Sequence, residues 1–98
     1  MTGNDAWPFD QAKNVAAISD SAVLEEGAPI LLVIHYSDDH SWAFLSGHST
    51  TEQGKVIGMG EALELDPSLD SIADLQPGWI ATRSRVDAPW ECRADPDM

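Results

Sequence analysis

The side chains with the most reactive chemistry lie near the middle of the chain: His35, His40 and His48, with Asp38 and Asp39 between the first two. Imidazole and carboxylate are metal ligands, and a zinc site needs three or four ligands converging within about 2.0 to 2.3 Å of the ion. The surrounding residues place His35 at the end of one strand and His40 and His48 at opposite ends of the next, which keeps the three imidazoles apart. His35, Asp38 and His40 at the tip of the connecting turn form the one set that could meet; the alternative there is a solvated turn. No metal site is assigned, and nothing implies a cofactor.

Nucleophilic catalysis would need Cys92 or a serine beside a base. No Gly-x-Ser-x-Gly pattern is present, and Ser46-Gly47-His48 brings a serine and a histidine together only in sequence, where a strand ends. Cys92 sits between Glu91, which would raise its pKa, and Arg93, which would lower it, and reads as a passive thiol. Gly54-Lys-Val-Ile-Gly58-Met-Gly60 has no Gly-Lys-Ser or Gly-Lys-Thr opening a helix, so its glycines belong to turns rather than to a phosphate loop. No catalytic constellation emerges, and the chain is not expected to be an enzyme.

Glu61, Glu64, Asp66, Asp70 and Asp74 form an acidic stretch with no basic residue among them. On an α-helix Asp66, Asp70 and Asp74 would share one side as a negative stripe. Such a stripe is either a solvated face or a docking surface for a basic partner, and these five residues are the candidate partner-binding set. Arg83 and Arg85, on the same face of the last strand as Trp79, could make an anion-binding or stacking patch, or pair with the surplus carboxylates.

The elements that must position these groups follow from local pattern. Asn14 to Ser19 reads as a short strand; Asp20-Ser21 caps a helical turn through Glu26, and Gly27 ends it. Ile30 to Tyr36 is continuously apolar and is predicted to be a central strand buried on both faces. Ser37 to His40 connects it as a hairpin to Ser41–Ser46, where Trp42 and Phe44 share one face and Ala43 and Leu45 the other. Lys55 to Met59 is a further short strand, and the alternation of Glu61, Leu63 and Leu65 favours extended structure for that segment. Asp66-Pro67 caps and opens a helix carrying Leu69, Ile72 and Leu75. Pro77-Gly78 fits the centre of a type II turn before the strand Trp79 to Val86, and an edge segment is expected around Trp90. The fold class is therefore α+β: a small, mainly antiparallel sheet of about five strands with two short helices. It forms a single domain over residues 1–98 with loose ends at about 1–12 and 94–98, the first pinned by Trp7 and Phe9.

Composition limits the partners. Ninety-eight residues support one core, and an apolar fraction of 43% with four tryptophans is that of a folded chain. Seventeen acidic against five basic residues give a formal charge of −12, whose field repels nucleic acid and anionic membranes, a repulsion that a basic protein, a cation or a neutral small molecule would not feel. The longest apolar run, Ala28 to Ile34, is far short of the roughly 20 residues that span a bilayer. Met1 to Asp10 has no signal-peptide pattern and the one cysteine excludes an internal disulfide, so a cytoplasmic location is expected.

Trp42-Ala-Phe44-Leu-Ser-Gly47, Asp66-Pro67-Ser68-Leu69, Leu75-Gln-Pro77-Gly78-Trp-Ile-Ala81-Thr-Arg83 and the late Trp90 together resemble a bacterial family of small immunity-protein-like domains, over about Val15 to Trp90. The Trp-x-Phe-x-x-Gly segment of that family follows an Asp and Gly pair, whereas His40-Ser41 precedes Trp42 here. The resemblance implies a cytoplasmic protein that binds and neutralises a cognate toxin, and the acidic surface would suit a basic toxin. The expected function is thus a non-enzymatic protein-binding module; the alternative is a small-molecule or metal-binding accessory domain using the turn around His35, Asp38 and His40.

Overall fold

The computed structural model describes residues 7–47 and 54–96. Strand β1 (Ala16–Asp20) runs into helix α1 (Ser21–Glu26) because the Asp20 carboxylate accepts the Val23 amide at 2.8 Å, replacing a partner the first helical turn lacks. Gly27 stops the helix at a φ of 72°, a left-handed conformation that costs glycine little. The hairpin follows as β2 (Leu32–His35) and β3 (Trp42–Leu45), then β4 (Gly54–Gly58), α2 (Met59–Leu65), a 3-10 helix (Pro67–Ile72), β5 (Trp79–Thr82) and β6 (Glu91–Ala94). Gly78 takes a φ of 87° and the Trp79 amide bonds back to the Gln76 carbonyl at 3.0 Å, closing the turn that Pro77-Gly78 foretold.

Six strands among the described residues form one sheet in the order β4-β1-β3-β2-β5-β6. Every neighbouring pair is antiparallel except β1 and β3, which run parallel with Ile18 beside Ala43. The fold is α+β and mostly antiparallel, with six strands in place of about five, because the segment after Trp90 pairs with the whole of β5. Of the N-terminal end, residues 1–6 lie outside the described residues; beyond them Phe9 is buried in the core and Trp7 packs against it.

Two expectations change. The segment Glu61–Leu65 is helical, not extended: Met59 and Ala62, three apart, are both fully buried, and the Glu61 carboxylate reaches back to the Gly58 amide at 2.9 Å to hold the first turn. The apparent alternation of Glu61, Leu63 and Leu65 leaves Leu65 52% exposed. The strand β2 is also buried on one face only, since Val33 and His35 are inside while Leu32 and Ile34 are half-buried.

The registers put Val33, His35, Trp42, Phe44 and Ala81 on one face of the sheet and Leu32, Ile34, Ala43, Leu45 and Ile80 on the other. The first face carries the core, closed by Phe9, Val23 of α1, Met59 and Ala62 of α2, and Leu69 and Ile72 of the 3-10 helix. All buried residues of the three helices belong to that cluster. The second face has no helix on it among the described residues, and Ile18 and Val56 of the neighbouring strands stand 36% and 71% exposed there.

Candidate functional site

The acidic stretch is built by two short helices that meet at Asp66. This residue is extended (φ −149°, ψ 93°), closing α2 and opening the 3-10 helix, where its Oδ1 accepts from the Ser68 amide at 3.0 Å and the Ser68 hydroxyl at 2.6 Å. Pro67 then starts a 3-10 helix rather than an α-helix. At three residues per turn, positions four apart are rotated by about a third of a turn. Asp66, Asp70 and Asp74 therefore do not form one stripe; Asp70 lies on the 3-10 helix and Asp74 beyond its end.

Asp66 is also committed internally. Its Oδ2 accepts from Arg83 Nη2, whose side chain is only 1% exposed. The remaining guanidinium hydrogens go to the Ile30 carbonyl from Nε (3.1 Å) and Nη2 (2.8 Å), and from Nη1 to the Ser68 hydroxyl (3.1 Å) and the Val86 carbonyl (3.0 Å). All five donors of the fork are satisfied, and the guanidinium lies over the Trp90 ring at 4.2 Å. Of the two readings for Arg83, pairing with a carboxylate and stacking on an aromatic ring both occur, and neither leaves the cation open to an external anion. Asp66 thus leaves the candidate partner-binding set. Glu61 is exposed but spends Oε1 on its helix cap, while Glu64, Asp70 and Asp74 are exposed and make no ion pair with a described residue.

The hairpin turn holds no ligand set. His35 points into the core, 2% exposed, its ring stacked on Trp42 at 4.0 Å. Its Nδ1 lies 2.7 Å from the Leu75 carbonyl, which can only accept, so Nδ1 carries the proton. Its Nε2 lies 3.3 Å from Asp10 Oδ2, while Asp10 Oδ1 accepts from the Trp42 indole at 2.9 Å. Asp10 thereby clips the segment bearing Trp7 and Phe9 onto the sheet. Asp38 and Asp39 stabilise the turn through the amides of Asp39 (2.8 Å) and Ser41 (3.0 Å), and hydrogen bonds from the Ser41 hydroxyl and secondarily the Ser41 amide hold the Asp39 carboxyl below its ordinary pKa. His40 is exposed at a φ of 61°, and His48 lies outside the described residues. Among the described residues no three metal-ligating side chains come together.

The remaining candidates resolve similarly. The Ser46 hydroxyl and amide both bond Asp20 Oδ2, at 3.0 and 2.9 Å, so Ser46 and the fully buried Asp20 tie the end of β3 to the start of α1. Gly60 donates its amide to the Lys13 carbonyl at 2.9 Å, so the glycines serve a close backbone approach. Burial, and secondarily Asp74, raise the Cys92 pKa, which keeps the thiol protonated and weakly nucleophilic.

Sequence reasoning missed the Asp10–His35–Trp42 cluster and the Asp20–Ser46 link, both of which join residues more than 20 positions apart. The one available signal was a histidine at the end of an otherwise apolar strand. A depression of about 430 Å³ between the ends of α1 and α2 was also not anticipated; it is lined by Val23, Pro29, Ile30, Leu65, Asp66 and Val86 among others. No protein-family model, curated protein or solved structure matches the chain. No helix among the described residues is long and apolar enough to cross a membrane.

Proposed function

We propose that this chain is a non-enzymatic, cytoplasmic protein-binding module of the immunity-protein type, which docks a basic protein such as a toxin through Glu64, Asp70 and Asp74, with Glu61 at the rim. The observation that carries this reading is the unequal commitment of charge. Arg83 and Lys55 are bound to Asp66 and Glu25, whereas those three carboxylates stand exposed, Glu64 on α2, Asp70 on the 3-10 helix and Asp74 just beyond it, with no described counter-charge. Such a field acts chiefly on encounter, raising the association rate of a cationic partner. Capture from the host lysate with the wild type and with Glu64→Gln, Asp70→Asn, Asp74→Asn combined is the test. A stoichiometric basic protein held by the first and lost by the second is expected; the same captured proteins with both would refute the assignment.

A second reading, a small-molecule-binding accessory domain, is supported by the depression beside Leu65 and Val86, both 52% exposed on its rim. Thermal-shift screening of wild type and Leu65→Asp separates the two: a compound that stabilises only the wild type would favour this second reading.

A further inference from the structure

We propose that two copies of this chain pair antiparallel through the open edge of β6, with Cys92 of one copy opposite Cys92 of the other, to make one continuous sheet. Among the described residues β6 is the last strand in the sheet order, and all four of its residues are exposed. One contact sets its hydrogen-bond phase: the Asp95 amide donates to the Gly78 carbonyl at 2.8 Å, in the register that pairs Ile80 with Arg93 and Thr82 with Glu91. Bonded and non-bonded pairs alternate in an antiparallel ladder. Glu91 and Arg93 therefore direct their backbone groups at β5, and Trp90, Cys92 and Ala94 direct theirs outward. An unpaired row of amides and carbonyls is a template for another strand.

A second β6 can bond only where outward-directed residues face one another. Three registers centred on the strand satisfy this, with Cys92 opposite Trp90, Cys92 or Ala94. The first sets Glu91 against Glu91, and the third sets Arg93 against Arg93. The middle register alone sets Glu91 of each copy against Arg93 of the other, twice over. Directly opposed charges stabilise a strand pair when unlike and destabilise it when like, so side-chain charge selects this register. The other sheet edge, β4, holds Lys55 as its one charged residue, between terminal glycines, and offers no such selection. The two-fold axis of the pair stands perpendicular to the sheet, which brings both uncovered faces to the same side. Each copy carries −12, so the pair forms against a general repulsion and is weak.

Sedimentation equilibrium of the full chain up to about 1 mM is the test, and a reversible monomer–dimer equilibrium is expected. Glu91→Arg and Arg93→Glu should each weaken the dimer by about tenfold, although they move the net charge in opposite directions. An equimolar mixture of the two variants, or the double exchange in one chain, should restore it to within about threefold. Register is read with diamide, which takes two electrons and two protons from two thiols as their sulfurs join. Opposed bonded residues lie about 5.5 Å apart between Cα atoms, inside the disulfide range, so Cys92 should cross-link faster in the wild type than in either single variant. Circular dichroism confirms that these exposed substitutions leave the fold intact. A chain monomeric throughout, a dimer indifferent to both single variants, or a loss that the exchange does not repair would each overturn the proposal.

Discussion

The same strands present two different faces, and the difference lies in what each asks of polar groups. On the covered face Trp42 and Phe44 stack at 5.9 Å, Phe9 meets both edge-on, and the buried His35 and Arg83 are held by partners from distant segments. On the open face the central strands carry the aliphatic side chains of Leu32, Ile34, Ala43, Leu45 and Ile80, with the Thr82 hydroxyl as the one polar group beside them. Aromatic area and buried charge concentrate where helices exclude water, because a polar group removed from water without a partner costs about 1 to 3 kcal/mol. The open face tolerates solvent because its members are smaller and shield one another.

This contrast is broken most severely at Trp42. Trp42→Ala should destabilise by about 3 to 5 kcal/mol, since it empties the centre of the core and removes the ring on which His35 stacks; the shift in denaturant midpoint at constant slope measures it. Arg83→Ala comes next at about 3 kcal/mol, because it strands a half-buried carboxylate on Asp66 and the Ile30 carbonyl together. If Asp66→Asn in the Arg83→Ala background recovers part of that loss, the uncompensated charge is the cause.

At Asp10 the two substitutions should separate. Asp10→Ala should cost about 1 to 2 kcal/mol, since the Trp42 indole loses its acceptor and the segment bearing Trp7 and Phe9 loses its clip to the sheet. Asp10→Asn should cost less, because its oxygen still accepts from the indole while its amide can donate to an unprotonated Nε2. Near-ultraviolet circular dichroism would report whether Trp7 leaves the surface. The smallest effect belongs to the open face, where Val56→Thr should stay within about 0.5 kcal/mol. A loss above about 1.5 kcal/mol would mean that this face is covered in solution and would erase the contrast.

Much of the local architecture was legible before any coordinates. Asp20 as a cap, Gly27 as a helix stop, the turn at Pro77-Gly78 and the shared face of Trp42 and Phe44 depend on neighbours within a few positions, where backbone sterics and strand alternation decide. The segment Glu61–Leu65 was misread because two periods overlap over five residues, and only the burial of Met59 and Ala62 distinguishes them. The candidate site was legible in composition but not in geometry. That five carboxylates lacked a nearby base was plain; that one of them already belonged to Arg83, 17 positions away, was not.

By itself the sequence determined the α+β class, the hairpin, the caps and turns, and the sign of the surface field, because each arises from short-range sterics or from a sum of charges that does not depend on the fold. Tertiary structure alone decided that β1 inserts beside β3 in parallel, that the helices cover one face, that His35 turns inward to Asp10 and Leu75, and that Asp66 is taken while Asp70 and Asp74 are not. Those outcomes depend on which distant segments meet, and a carboxylate reads the same in sequence whether water or a buried guanidinium will answer it.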